Sequence, residues 1–341
     1  MVSRVMGHFI KHPTSRVKIA YELLLLGIFI LIPVLVQNRA FLTVCLMCFF
    51  YAYLALSWNL IGGYGGQLSL AHGAFFGIGA YGTGILFTKF GLTPWIGLLV
   101  SAVVSGIFAY VIGKAAFRFR VKGFYFLLVT LAVTEIFHEI TKDLQFIGGA
   151  RGLWLPAKLG WVYFQFRGKV EYYYIAFGLM IIAITISYLI EKSKLGYYLI
   201  AIREDEDAAE ASGVNSNVCK TWALTLSGFL TAIGGAYYIQ LFYFIDPSSG
   251  FSLGLNIDLM LMTIIGGIGT IKGPVLGAFF FVVISELLRF VPVESQPLVA
   301  TTRIFFGLAL VGTSIYLPEG LVSLRHTNLR HFLSKSQNAE A

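Results

Sequence analysis

Charged side chains are scarce in this sequence. Only 12% of its 341 residues are Asp, Glu, Lys or Arg, about half the share that soluble domains carry, and that shortage excludes a water-facing globular domain. Apolar residues take their place: they make up 57% of the chain and give a mean hydropathy of +0.78. Cysteine is nearly absent as well. Cys45 and Cys48 stand i, i+3 in one apolar run and Cys219 is alone, so there is no disulfide framework, and no second Cys/His pair completes a zinc site. All three read as packing residues.

Other signatures are missing too. The basic N-terminal stretch (Arg4, Lys11, Arg16, Lys18) leads into a full-length apolar run without a short apolar core and a small-residue cleavage site, so no cleavable signal is expected. No Gly-x-x-x-x-Gly-Lys-[Ser/Thr] loop occurs: Gly113-Lys114 and Gly168-Lys169 lack the upstream glycine and the hydroxyl residue. ATP hydrolysis by this chain itself is therefore not expected. Glu135 and His138 have the Glu-x-x-His spacing of a di-metal bundle, but no second copy exists. His138-Glu139 opens like a zinc-protease helix, yet Lys142 stands where the second histidine belongs. With no complete catalytic set, no bound metal and no cofactor are expected. Ionisable residues inside apolar runs are few (Asp258, Glu286, Arg289, Arg303), which weighs against an ion-coupled carrier.

What the chain does have is apolar runs of about 20 residues along its whole length. They imply an all-α, polytopic membrane protein with about ten spans, drawn at 17–36, 40–61, 66–90, 94–117, 123–141, 171–190, 218–245, 253–268, 273–292 and 298–317. The organisation is then an N-terminal segment 1–16, a transmembrane region 17–317 with a polar loop at 193–217, and a tail 318–341. The net charge of +8 sits mainly beside apolar runs, as topology determinants do, and not as a nucleic-acid surface. Placing both termini in the cytoplasm gives the inner turns Lys114, Arg118, Arg120, Lys122, Lys192, Lys194, Arg203 and Lys272. The loop 142–171 is also basic and departs from that bias.

Three stretches carry the informative residues. The first is acidic: Arg203, Glu204, Asp205, Glu206, Asp207, Ala208, Ala209, Glu210, Ala211, Ser212 and Gly213. Acids at a helix start, alanines within and glycine after the end predict a short helix outside the bilayer; a plain solvated connection is the alternative. The second and third are glycine-rich. Gly62-Gly63-Tyr64-Gly65 is followed after seven residues by Gly73-Ala74-Phe75-Phe76, and Gly266-Gly267-Ile268-Gly269 after seven by Gly277-Ala278-Phe279-Phe280. Either this is an internal repeat or a coincidence in a Gly- and Phe-rich chain. Gln67, Ser69 and His72 place polar groups in the first glycine stretch. They are candidates for lining a translocation path, with helix packing as the alternative.

Taken together, Ser57 to Tyr81, Ala201 to Asn215, Gly228 to Ala236 and Gly266 to Phe280 resemble the LivM-like permeases of branched-chain amino acid ABC transporters, over residues 40 to 317. The resemblance implies a permease subunit of a bacterial importer in the cytoplasmic membrane, surrounded by lipid. Its partners would be a related permease, two ABC ATPase subunits that use the ATP, and an extracytoplasmic solute-binding protein. It also implies that the segment from Arg203 to Gly213 is a cytoplasmic coupling helix docking on an ATPase, its acids pairing with basic groups there. A urea or short-chain amide importer permease would share every one of these motifs. A standalone secondary transporter or channel would leave the acidic helix without a partner.

Overall fold

The computed structural model of the protein describes residues 27–36, 38–289, 306–309, 312, 315, 317 and 320–325. The expected N-terminal segment 1–16, most of the span drawn at 17–36, most of that drawn at 298–317 and most of the tail 318–341 lie outside the described residues.

Each drawn stretch between residues 40 and 292 contains a helix. Helix α1 is Arg39–Asn59, started by Asn38, whose side-chain oxygen accepts from the Ala40 and Phe41 N–H groups. It runs on into one π turn, Leu60–Tyr64. Helix α2 is His72–Phe90 and stops at Gly91, which takes a left-handed conformation. Helix α3 is Pro94–Arg118, with proline in its first turn, and α4 is Gly123–Asp143. After a long connection come α5 (Val170–Glu191), the short α6 (Lys194–Glu204) and α7 (Glu206–Ala211), then α8 (Ser216–Phe242). A turn at Pro247–Gly250 leads into α9 (Leu253–Gly266), and α10 is Lys272–Arg289. Two short strands, β1 (Leu153–Trp154) and β2 (Phe244–Ile245), pair antiparallel, with Leu153 opposite Ile245.

Six helical stretches among the described residues are long and apolar enough to cross a membrane: Arg39–Tyr64, Pro94–Arg118, Gly123–Asp143, Val170–Glu191, Ser216–Phe242 and Pro247–Gly266. The protein is a multi-pass membrane protein of all-α class. The span drawn at 66–90 needs correction. Its first residues are not helical; residues 65–71 form an irregular, largely buried link between α1 and α2.

Helix α8 lies at the centre, packed on α3, α2 and α1, while α1 forms a second seam with α5 and α10. Small residues let these backbones approach. A Cβ placed on Gly79 of α2 would lie 2.0 Å from the Ala232 carbonyl oxygen of α8, and one on Gly235 would lie 2.0 Å from the Phe76 carbonyl oxygen. The outer face of α3 (Leu99, Val103, Ile107) stays open, as suits lipid or a second membrane subunit. One end of the bundle gathers the 119–122 turn, α6, α7 and the links at 65–71 and 267–271. The other end is closed by the β pair and by Trp95, whose Nε1 donates to the Trp161 carbonyl at 2.7 Å.

The α2–α8 crossing yields a direct check. Gly79→Ala is expected to cost about 1–3 kcal/mol through overpacking, seen as a lower unfolding temperature in detergent. Gly178→Ala, where nothing lies within 4 Å of the added carbon, is expected to be neutral or slightly stabilising.

Candidate functional site

The acidic stretch is two helices, not one. Ser193 starts α6, its Oγ accepting from Gly196 N–H at 3.3 Å. Asp205 is extended (φ −156°) and interrupts the helix. Its carboxylate then accepts from Ala208 N–H at 2.9 Å and starts α7. Glu206 and Asp207 occupy the first turn of α7, where the helix dipole favours them. Glu204 does not, contrary to the sequence expectation: it is the last residue of α6 and is held by Arg203 at 2.9 Å. Gly213 ends the segment with φ +87°, and Asn215 starts α8 by accepting from Val218 N–H.

Most of the acids are engaged inside the chain. Glu206 takes Lys220 of α8 at 2.5 Å and Lys122 at 3.2 Å. Lys220 is fully buried and lies 4.9 Å from the centre of the Phe117 ring. Glu210 accepts from Ser216 and lies 3.9 Å from Arg120. Burial alone would raise the Glu206 carboxyl, but the bond and charge of Lys220, and then the bond from Lys122, outweigh it and hold the group below its ordinary value of 4.5. The same Glu206 bond holds Lys122 above its ordinary 10.5. Ala209 faces inward. What faces away from the bundle is Asp207, 89% exposed, with Ala208, Ala211, Ser212 and Gly213.

Arg203 turns toward the bundle. Its Nη1 donates to the Gly63 carbonyl at 3.2 Å, while Nε and Nη2 donate to Glu204.

Gln67, Ser69 and His72 are all buried in protein. His72 Nε2 lies 2.7 Å from Ser227 Oγ, and Ser227 donates to the Ser57 carbonyl at 2.6 Å. The histidine therefore donates through Nε2, which leaves Nδ1 as an acceptor without a partner, as is Gln67 Oε1. Ser69 serves the link itself: its Oγ accepts from Ala71 N–H and its carbonyl accepts from Trp58 Nε1 at 2.9 Å.

The side chains that hold this link were not singled out from the sequence. Thr130 Oγ1 of α4 accepts from Leu70 N–H at 3.0 Å, and Thr134 Oγ1 donates to the Leu70 carbonyl at 2.6 Å. Asn256 of α9 accepts from Gly73 N–H at 2.7 Å. Asn59 bridges to the second glycine stretch, accepting from Gly269 N–H and donating to the Thr270 carbonyl, both at 2.9 Å. The signal that could have found them is their type: polar residues in apolar runs, with Thr130 and Thr134 one helical turn apart. The Glu135, His138 and Glu139 side chains do converge, but Lys142 takes Glu139 at 3.0 Å. They form an ion-pair group at the end of α4.

The family described as branched-chain amino acid transport system, permease component, matches residues 40–314. The chain is 26% identical over 317 residues to the high-affinity branched-chain amino acid transport system permease protein LivM of Salmonella typhimurium, covering 86% of this chain and 72% of that one. It is 25% identical over 279 residues to the probable branched-chain amino acid transport permease protein LivM of Methanocaldococcus jannaschii, covering 76% and 80%. Against the permease protein LivH of Salmonella typhimurium it is 22% identical over 287 residues, covering 78% and 90%. No solved structure matches the chain.

Three measurements follow from the geometry. Because the Glu206 carboxyl is depressed, its contribution is present above pH 4.5 and is lost as pH falls through the lower folded value; the Lys122 contribution is present below 10.5 and lost as pH rises through its raised value. Proteolytic nicking within 193–215 should therefore rise at acid pH in the native protein, and Glu206→Gln should abolish that acid step. Lys220→Met, which leaves the half-buried Glu206 carboxylate with Lys122 as its remaining lysine, is expected to cost about 1–3 kcal/mol by thermal unfolding. At the link, Thr134→Val leaves the Leu70 carbonyl unpaired and is expected to cost about 1–3 kcal/mol by thermal unfolding. Thr185→Val, at an exposed site bonded only to its own helix, serves as the near-neutral control.

Proposed function

The chain belongs to the family of branched-chain amino acid transport system permease components, and from that premise we propose that it is a membrane subunit of a bacterial ABC importer that carries branched-chain amino acids inward. The observation that carries this reading is the family match itself, which runs through the acidic segment as well as the spans. The fold supports it: Lys122, Lys220 and Arg120 hold the segment rigidly at one end of the bundle, with its small residues outward.

In this reading α7 docks on an ATPase subunit. Ala208, Ala211 and Gly213 permit close approach, and Asp207, which reaches Lys122 at 3.5 Å yet stays 89% exposed, is the acid most accessible to a basic partner. Glu206 and Glu210 act differently from the sequence expectation: they fasten the helix to its own protein. The chain binds no cofactor; two partner ATPases hydrolyse ATP. The relatives include both a LivM and a LivH permease, which supports pairing with a second, related permease. An extracytoplasmic solute-binding protein completes the assembly and sets most of the selectivity. The acidic end faces the cytoplasm, in agreement with the basic 118–122 turn beside it, and both termini lie inside. Movement of α7 on ATP-driven closure then rocks the bundle and opens the path inward past Gln67, Ser69 and His72.

The test is a pull-down of the tagged chain from solubilised native membranes, paired with uptake of radiolabelled leucine. Wild type should recover ATPase subunits and take up leucine. Ala208→Trp and Asp207→Arg should lower ATPase recovery at least about tenfold, as for truncation at an interface hot spot. A chain that comes out alone, with both variants still transporting, would leave a self-sufficient carrier. Uptake of urea but not leucine would move the substrate to the amides.

A further inference from the structure

The two glycine stretches, far apart in sequence, meet at a single arginine. Gly63 and Gly66 belong to the link between α1 and α2, and Gly269 to the link between α9 and α10. A Cβ on Gly269 would lie 2.2 Å from Arg203 Nη1 and 3.3 Å from the Gly63 carbonyl oxygen. A Cβ on Gly66 would lie 2.7 Å from Arg203 Cγ. One on Gly63 would lie 2.7 Å from Gly269 N and would overlap the Asn59 amide. The glycines thus form a slot without side chains that the arginine stem and head fill. Gly66 (φ +64°) and Gly269 (φ +74°) also need the left-handed backbone that glycine adopts freely.

The bond inside the slot has a clear physical role. The last carbonyls of a helix have no N–H ahead of them to bond, and Gly63 stands in the final turn of the α1 extension. Arg203 supplies a charged donor to that carbonyl from a different element. On the other side, Asn59 joins the same two links through its bonds to Gly269 and Thr270. Asn59 ties the links to each other; Arg203 ties them to α6, which is continuous through Asp205 with the outward-facing α7. A displacement of α6 and α7 is therefore delivered at one point to both links, and so to α1, α2, α9 and α10 together.

We infer that Arg203 is a positioning residue that locks the two glycine links to the acidic segment, acting inside the permease and not as an ATPase contact. Its consequence for transport rests on the importer reading; its consequence for the two links does not.

The experiment has two arms. In the first, amide hydrogen exchange is followed on the purified full chain in nanodiscs, with no ATPase present. Arg203→Ala should speed exchange at least about tenfold, the loss of one charge-assisted bond, in peptides covering both 62–71 and 266–273. Arg203→Lys, which keeps the charge but not the planar fork, should give a smaller effect in the same two places. Acceleration confined to 193–215, or to one link alone, overturns the inference. Gly269→Ala probes the slot from the opposite side and keeps the test decisive if Arg203→Ala does not fold. It should accelerate the same two peptides, and adding Arg203→Ala should relieve part of its effect, because the clash with the guanidinium disappears. Strictly additive effects would sink the proposal. In the second arm, Arg203→Ala should be recovered with ATPase subunits as wild type is, while leucine uptake falls about tenfold or more. Loss of ATPase recovery would make Arg203 an interface residue and overturn the inference. If wild type itself recovers no ATPase, the importer reading fails while the exchange arm still decides the role of Arg203.

Discussion

A backbone amide inside a membrane protein must find a partner in the protein, since hydrocarbon offers none. The irregular link at 65–71 makes that requirement acute, because the chain gives up its helical bonds while remaining mostly buried. Every other feature near it can be read as an answer. Thr130 and Thr134 take both backbone groups of Leu70, Trp58 takes the Ser69 carbonyl, and Asn256 takes Gly73 N–H. These partners come from α1, α4 and α9, so the break is held from three helices at once. Its bonds register the bundle as much as they satisfy the chain.

At the acidic end the same logic appears with charges. A lysine as deeply buried as Lys220 needs a partner of opposite sign, and it finds Glu206, which Lys122 shares from the α3–α4 turn. One carboxylate thereby fixes α7 to two separate parts of the bundle. The outward side of α7 is left with small residues and a single well-exposed acid. The charge pattern is mostly an anchor within the chain, and the alanines between the anchors, Ala208 and Ala211, are what the helix leaves exposed.

Much of the architecture was legible because length and apolarity are local properties. Among the described residues between 40 and 289, each run of about 20 apolar residues contains a helix, and Gly91 stops one where glycine should. The failures have one physical cause: they depend on what a residue meets, not on its neighbours in sequence. Asp205 and Glu204 are alike as acids, yet one starts a helix and the other ends one, because the chain breaks at Asp205. Residues 66–71 adjoin the apolar run of α2, but the π turn and the glycines at Gly65 and Gly66 keep them out of the helix. Arg203 lies in an acidic segment that the sequence places outward as a whole. Only the fold shows that its head points into a slot made by residues some 140 positions before it and 66 after. Gln67, Ser69 and His72 stand out in the sequence for their polarity, and the fold buries all three in protein.

Helix α4 is the least enclosed of the six long apolar helices, with only 17% of its most apolar stretch buried. Its one inward stripe, Phe126, Thr130, Thr134 and Thr141, carries both clamps on Leu70. The hydroxyls that steady the break are therefore mounted on the element with the fewest protein neighbours to fix its tilt. Helices adjust tilt when the hydrocarbon layer is thicker or thinner than their apolar length. A bilayer thickness that retilts α4 would therefore be felt at Leu70, through the two hydroxyls that hold it.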